Sequence, residues 1–248
     1  MKIVVIGGTG LIGHNVVERL SEHGHEAVAA APSTGVNTIT GDGLKEVLQG
    51  ADVVIDVSNS PSFADDDVMN FFRTSTGNLL EAAGAEGVGH YVALSIVGID
   101  RAQEIGYYRA KVAQEKKIRE SGLPHSIVRA TQFLEFAGGS ADASTTDGVV
   151  RLPDLRVQPI AAKEVSAAVA STAAGQPLNG IREIAGPEEL GLDAWIRTFL
   201  ADRNDPRTVV TDPTAPFFGG VTGKTALLPG PNAELAKTTL ADWLAANR

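Results

Sequence analysis

Short apolar runs alternate with stretches of helical period through the first half of the chain. Ile3–Ile6 is apolar at every position, the pattern of a strand buried on both faces, and it runs straight into Gly7-Gly8-Thr9-Gly10-Leu11-Ile12-Gly13. Over Leu11–His23 the residues Leu11, Val16, Val17 and Leu20 fall on one helical face, and Gly24 supplies the stop. Glu26–Ala30 predicts a short second strand. Asp52–Val57 (DVVIDV) and His90–Ser95 (HYVALS) predict stronger ones, and Ser126–Arg129 a short one after Gly122-Leu123-Pro124. Between them, Asp65–Ala83 and Tyr107–Ser121 carry helical spacing, the second bounded by Gly106 and Gly122.

Strands that alternate with helices of this length join as parallel βαβ units. The expected fold class is therefore α/β, a Rossmann-type doubly wound parallel sheet. Beyond residue 132 the elements shorten, and Gly, Ala, Pro and Asp become frequent. Helices are expected there at Lys163–Ala174, Leu192–Ala201 and Ala233–Ala246, with short strands near Val157–Ile160 and Arg182–Ile184. The organisation predicted is a dinucleotide-binding domain over 1–132 and a small C-terminal α/β substrate lobe over 133–248, packed on the same domain. Such a lobe would cover the carboxyl edge of the sheet, where open α/β folds place ligands.

Composition narrows the chemistry. The absence of cysteine excludes disulfides, thiolate metal sites and a Cys nucleophile. Five scattered histidines without a His-x-x-x-His pair give no reason to expect a metal. A formal net charge of −9 argues against nucleic acid, whose binding needs clustered Lys and Arg. No apolar run approaches the ~20 residues that span a bilayer, so no membrane partner is expected. The four apolar residues before Gly7 are too few for a secretory h-region of about 7–15, and they read as a first strand in a cytoplasmic protein.

Gly7-x-x-Gly10-x-x-Gly13 closes a strand and opens a helix, the context that makes this spacing a dinucleotide fingerprint. The turn, the close approach of a pyrophosphate and the packing of helix on strand each favour a missing Cβ. The expected cofactor contacts here are Gly7, Thr9, Gly10, Leu11, Ile12 and Gly13, with the phosphates on the helix N-terminus. A second glycine-rich stretch, Gly219-Gly220-Val221-Thr222-Gly223-Lys224-Thr225, is not a P-loop. Phe218 stands where the leading glycine belongs, and Pro213 and Pro216 leave no strand before it. The second strand ends Ala29-Ala30-Ala31-Pro32-Ser33-Thr34, without the acid that would hold an adenosine 2′-hydroxyl and repel a 2′-phosphate. NADP is thus expected over NAD, with Ser33 and Thr34 as phosphate contacts. Asp42 is placed either at the adenine edge or as the cap of a helix starting at Leu44.

Tyr107-x-x-x-Lys111 puts a phenol and an ammonium on one helical face, just after the strand that ends at Ser95. A tyrosine needs such a cation to act as an acid near neutrality. The three would serve as proton donor (Tyr107), pKa tuner and ribose ligand (Lys111) and substrate-orienting hydroxyl (Ser95). The alternative is an amphipathic helix in which Glu115 merely pairs with Lys111.

The stretches Gly7–Gly13, Ser95, Tyr107-x-x-x-Lys111-x-x-x-Glu115 and Ile127-Val128-Arg129-Ala130-Thr131-Gln132-Phe133 resemble the NmrA-like, NAD(P)-binding group of atypical short-chain dehydrogenases/reductases. The resemblance implies that Val57-Ser58-Asn59-Ser60, counted as following a fourth strand, runs beneath the nicotinamide half. It also implies that Ala130 and Thr131, with Gln132 and Phe133, touch the carboxamide and substrate. The activity implied is NAD(P)H-dependent reduction of a small carbonyl, enone or quinone-like molecule. The group also includes members that only sense the redox state of the cofactor, and a non-catalytic regulatory protein is the competing reading. Phe217-Phe218 would then be a partner surface, and otherwise the wall of a substrate pocket. A nucleotide-sugar epimerase ranks last, because only about 115 residues follow position 132.

Overall fold

The computed structural model describes residues 1–247. In the first half the elements run β1 (Lys2–Ile6), α1 (Leu11–Glu22), β2 (Glu26–Ala30), α2 (Leu44–Leu48), β3 (Val53–Asp56), α3 (Asp65–Ala85), β4 (His90–Ile96), α4 (Gly106–Glu120) and β5 (His125–Ala130). Then come α5 (Ala137–Ala143), β6 (Thr145–Thr146), β7 (Val149–Leu152), β8 (Arg156–Val157), α6 (Ala162–Ala174), β9 (Gly180–Ala185), β10 (Leu190–Gly191), α7 (Leu192–Asp202), β11 (Thr208–Thr211), β12 (Glu234–Leu235) and α8 (Leu240–Ala246).

Among the described residues seven strands form the central sheet, in the order β12-β9-β5-β4-β3-β1-β2. β1 pairs in parallel with β2 (Ile3↔Ala27) and with β3 (Ile3↔Val53), and β3 pairs in parallel with β4 (Val54↔Tyr91). This is the Rossmann-type doubly wound α/β fold. The strand order reverses at β1, so the crevice beyond the carboxyl ends of β1 and β3 is the topological switch point. Gly7 and Val57 follow those two strands directly.

The chain divides into two compact units. The first comprises Met1–Ser95, Arg109–Arg129 and Lys163–Arg182. Its core includes Val4, Ile6, Leu44, Leu48, Val54, Leu79, Tyr91, Ile118 and Ile127. The side chains of β1, β3 and β5 are buried on both faces, as a sheet covered by helices requires, and β2 at the edge is only partly covered. Asp65, Asp66 and Asp67 put negative charge on the first turn of α3, against the positive end of its dipole. The second unit comprises Ile96–Tyr108, Ala130–Ala162 and Glu183 onward. It holds the small sheets β11-β7-β6 and β10-β8.

Three expectations need correction. Ala233–Ala246 is not one helix, because Glu234 and Leu235 pair in parallel with β9 and the N–H of Ala236 reaches Ala185 O. The helix begins only at Leu240, where Thr239 and Asp242 cap each other reciprocally. The strand near Val157–Ile160 stops at Val157, two residues before a proline that has no N–H to give a ladder. The Val57–Ser60 loop follows the third strand of the chain, because turns rather than a strand fill the interval between β2 and α2. Among the described residues no helix is long and apolar enough to cross a membrane, and no group of three His, Asp or Glu could hold a metal ion.

Candidate functional site

The glycine turn is built by contact as well as by conformation. Gly7 has φ +79°, a backbone state closed to most L-residues, and its N–H donates to Ala30 O at 2.9 Å. A Cβ on Gly13 would lie 2.1 Å from Gly7 O, so α1 rests on the turn itself. At Gly10, which is exposed, a Cβ would meet only Gly7 O, at 3.4 Å. Its missing side chain leaves the helix mouth open rather than satisfying a packing demand. The N–H of His14 donates to Gly10 O at 2.9 Å, so the amides of Leu11, Ile12 and Gly13 precede that rung. The first turn of α1 carries no acid. This cradle fits the pyrophosphate of a dinucleotide. A Cβ on Gly7 would press on Val57 O at 2.9 Å and Ser58 Cα at 3.0 Å, so the two loops at the switch point touch.

After β2, residues Pro32–Thr34 make a 3-10 turn. Thr34 Oγ1 accepts from the N–H of Ala31 at 2.9 Å and donates to Ala31 O at 3.0 Å, which commits that hydroxyl to its own turn. Ser33 is exposed beside it. Asp42 is exposed and accepts from Thr40 Oγ1 at 2.6 Å. It does not cap α2, whose cap residue is Gly43.

Below the Val57–Asn59 loop lies a buried polar network, all of it in the first unit. Asp56, only 1% exposed, ends β3. Its Oδ1 accepts from the Ser58 N–H at 3.1 Å and from Ser58 Oγ at 2.6 Å. Its Oδ2 accepts from Tyr91 Oη at 3.1 Å and from Gln114 Nε2 at 3.0 Å. Gln114 Oε1 in turn accepts from Lys111 Nζ, which also donates to Leu94 O at 2.8 Å. The same ammonium lies 4.4 Å from the centre of the Phe72 ring. Lys111 is 4% exposed, and desolvation pulls its pKa down to about 8 against the opposing pull of Asp56 and Glu115. Burial, with the nearby Asp56 carboxylate and its hydrogen bond, holds the Tyr91 phenol well above the ordinary tyrosine range.

Ser95, which ends the first segment of the first unit, is buried, and its Oγ has no hydrogen-bond partner among the described residues. Tyr107 stands half-buried on the first turn of α4 and belongs to the second unit. Its neighbour Tyr108 is buried, and desolvation pushes its pKa up to about 12. Also in the second unit, Ala130 O accepts from the Val97 N–H at 2.9 Å, and Thr131 Oγ1 donates to Gln158 O at 2.6 Å. Phe217 is buried, and Phe218 is half exposed against its edge, with ring centres 4.7 Å apart.

The simple pairing of Glu115 with Lys111 is not what the structure holds. Glu115 is gripped by Arg129, whose Nε and Nη2 donate to its two oxygens at 2.8 and 2.6 Å, and both side chains are buried. Arg119 adds a longer contact at 3.1 Å. Asp56, Gln114 and Arg129 thus go beyond the expected site. One signal for Asp56 was present: a carboxylate closing the run Val53-Val54-Ile55, where a covered parallel strand has no room for a lone charge.

The site is therefore that of a dinucleotide-binding α/β protein. Residues 7–174, more than half of the chain, match the model of the NAD(P)H-binding family, and the chain belongs to it. Over 204 residues it is 28% identical to (4-alkanoyl-5-oxo-2,5-dihydrofuran-3-yl)methyl phosphate reductase of Streptomyces griseus subsp. griseus, covering 76% of this chain and 69% of that one. It is 26% identical to the photosystem II assembly factor Ycf39 of Cyanophora paradoxa, over 54% of this chain and 46% of the relative. The chain thus spans about half the length of that second relative. In fold it is similar to a UDP-glucose 4-epimerase of Thermotoga maritima, with TM-score 0.75, 16% identity and coverage of 98% and 96%. It is similar also to the NADPH-dependent quinone oxidoreductase QOR2 of Escherichia coli, with TM-score 0.69, 17% identity and coverage of 99% of each chain.

Proposed function

We propose that the protein is an NADP(H)-dependent oxidoreductase that reduces a small carbonyl, enone or quinone-like substrate. The observation that carries this reading is the continuity of the glycine cradle, the Val57–Asn59 loop and the buried Lys111 within one compact unit. The cofactor would be held by Gly7, Thr9, Gly10, Leu11, Ile12 and Gly13 at the pyrophosphate and by Val57, Ser58 and Asn59 at the nicotinamide half. When bound, the reduced dinucleotide supplies a hydride. Tyr107 delivers the proton to the substrate oxygen, and Lys111 on the same helix lowers the cost of releasing it. Ser95, whose hydroxyl lacks a partner among the described residues, orients the substrate oxygen. The acid-free turn after β2 favours NADP over NAD, with Ser33 as the available phosphate contact. The named reductase among the relatives supports a reductive reaction.

The test is a fluorescence titration with NADPH and NADH, followed by stopped-flow oxidation against a panel of carbonyls, enones and quinones. Tyr107→Phe is expected to lower the hydride-transfer rate by about 10²–10⁴-fold while binding NADPH as wild type does. Equal rates would remove Tyr107 from the mechanism and leave the reductase. Binding without turnover of any substrate would leave a regulatory NAD(P)-binding protein. One observation favours that second reading: the Lys111 ammonium already serves Leu94 O and Gln114.

A further inference from the structure

Asp56 has four donors on one carboxylate, and they come from two directions. On Oδ1 sit both donors of Ser58, in the loop that touches the glycine turn. On Oδ2 sit Tyr91 from the neighbouring strand and Gln114 from α4. A primary amide presents two donors at one end and two lone pairs at the other. Because its nitrogen must face Asp56, Gln114 turns its oxygen toward Lys111. The carboxylate thereby decides which end of an amide the ammonium meets, although it makes no hydrogen bond to the ammonium. Left to itself, the amide could present its nitrogen to Lys111, two donors face to face in a buried space, and the lysine would keep Leu94 O but lose its side-chain acceptor and with it part of the support for its charge.

We propose that Asp56 is a positioning residue that sets two parts of the cofactor site at once, the Ser58 loop through one carboxylate oxygen and the Lys111 ammonium through Gln114 on the other. The proposal rests on the oxidoreductase reading for its use in catalysis, but its geometry lies wholly within the first unit and concerns the protein without cofactor. The groups that bear on the charge of Lys111 are Asp56 from β3 and Glu115 from α4, the latter already neutralised by Arg129 from β5. Tyr91 from β4 completes the enclosure as a neutral phenol. Asp56 is thus the carboxylate facing the ammonium that has no cationic partner of its own among these groups.

The test begins with Asp56→Asn, which keeps the shape and one acceptor oxygen. The protonation of Lys111 is followed by NMR of ¹³Cε-labelled lysine in the protein without cofactor, and its resonance is assigned by its loss in Lys111→Met. NADPH affinity is measured separately by fluorescence. The expected result is a fall of about one pH unit or more in the Lys111 midpoint, together with an NADPH affinity about tenfold weaker. Two further variants separate the arms and serve if Asp56→Asn does not fold. Ser58→Ala is expected to weaken NADPH and leave the Lys111 midpoint in place, whereas Gln114→Leu is expected to lower that midpoint.

A merely structural Asp56 would change the melting temperature and move neither readout, and that outcome overturns the proposal. So does a Lys111 midpoint that stays put in Gln114→Leu, or one that shifts in Ser58→Ala. If these results come out as expected while wild type reduces no substrate, the oxidoreductase reading fails and the positioning role of Asp56 stands.

Discussion

Lys111 is a charge held where water cannot reach it, and its energetic signature has a definite sign. In the folded chain its pKa is near 8, against 10.5 for an ordinary lysine. Below about pH 8 the group is protonated in both states, and the folded protein bears the full cost of burying the charge. Between about 8 and 10.5 the unfolded chain binds a proton that the folded chain does not, so this contribution to stability rises with pH. The difference in unfolding free energy between wild type and Lys111→Met should therefore climb by about 3 kcal/mol from pH 7 to pH 10.5. Urea denaturation at a series of pH values checks it, and a flat difference would show that Lys111 is not desolvated. At this scale the sequence was legible where one residue type answers one demand, as at Gly7 with its positive φ. It was less so at Asp56 and Gln114, which lie 58 positions apart and meet only because α4 lies against the end of β3.

Among the elements, the pairing of α1 with its turn is the tightest functional joint. Gly13→Ala would drive a methyl group into Gly7 O, a backbone atom that cannot step aside, so the helix must shift as a body. The expected cost is about 1–3 kcal/mol of stability, with NADPH affinity lowered at least tenfold because the amides at the helix mouth move with it. Chemical denaturation and fluorescence titration read the two effects, and wild-type affinity in a destabilised variant would detach the joint from the binding site. Elements of this kind were readable because each is long or uninterrupted: β1, α1, α3 and α4 all lie close to the positions that periodicity predicts. The small strands β6, β7 and β12 were not predicted. β6 and β7 are joined by Asp147-Gly148, both at positive φ, a type I′ hairpin signal that is local and visible in the chain. β12 gives no such signal, since two residues in an alanine-rich stretch become a strand only by lying beside β9.

For the whole molecule, cofactor binding should appear as stability. At free NADPH a hundred times its dissociation constant, linkage gives about 2.7 kcal/mol of added unfolding free energy. NADH at the same concentration should give less, by an amount that grows with the logarithm of the ratio of the two dissociation constants. Denaturation scans with each nucleotide measure the gap, and equal stabilisation would remove the preference for the 2′-phosphate. Residues 1–130 were the most legible part, because alternating strands and helices there obey one period after another. The later chain was harder to read, because two-residue strands and turns have no period.

The first unit also has a consequence in time. It starts at Met1 but takes its last pieces from Lys163–Arg182, where the Ser166 hydroxyl meets Ile12 O at 3.3 Å. A ribosome adding about 5–20 residues per second needs roughly 9–35 s to travel from the glycine turn to the end of that unit. For most of that interval the nascent cradle has its strand and its helix but lacks α6. The cradle is thus translated well before its own unit is complete, and a nucleotide could help nascent chains only after residues 163–182 had emerged.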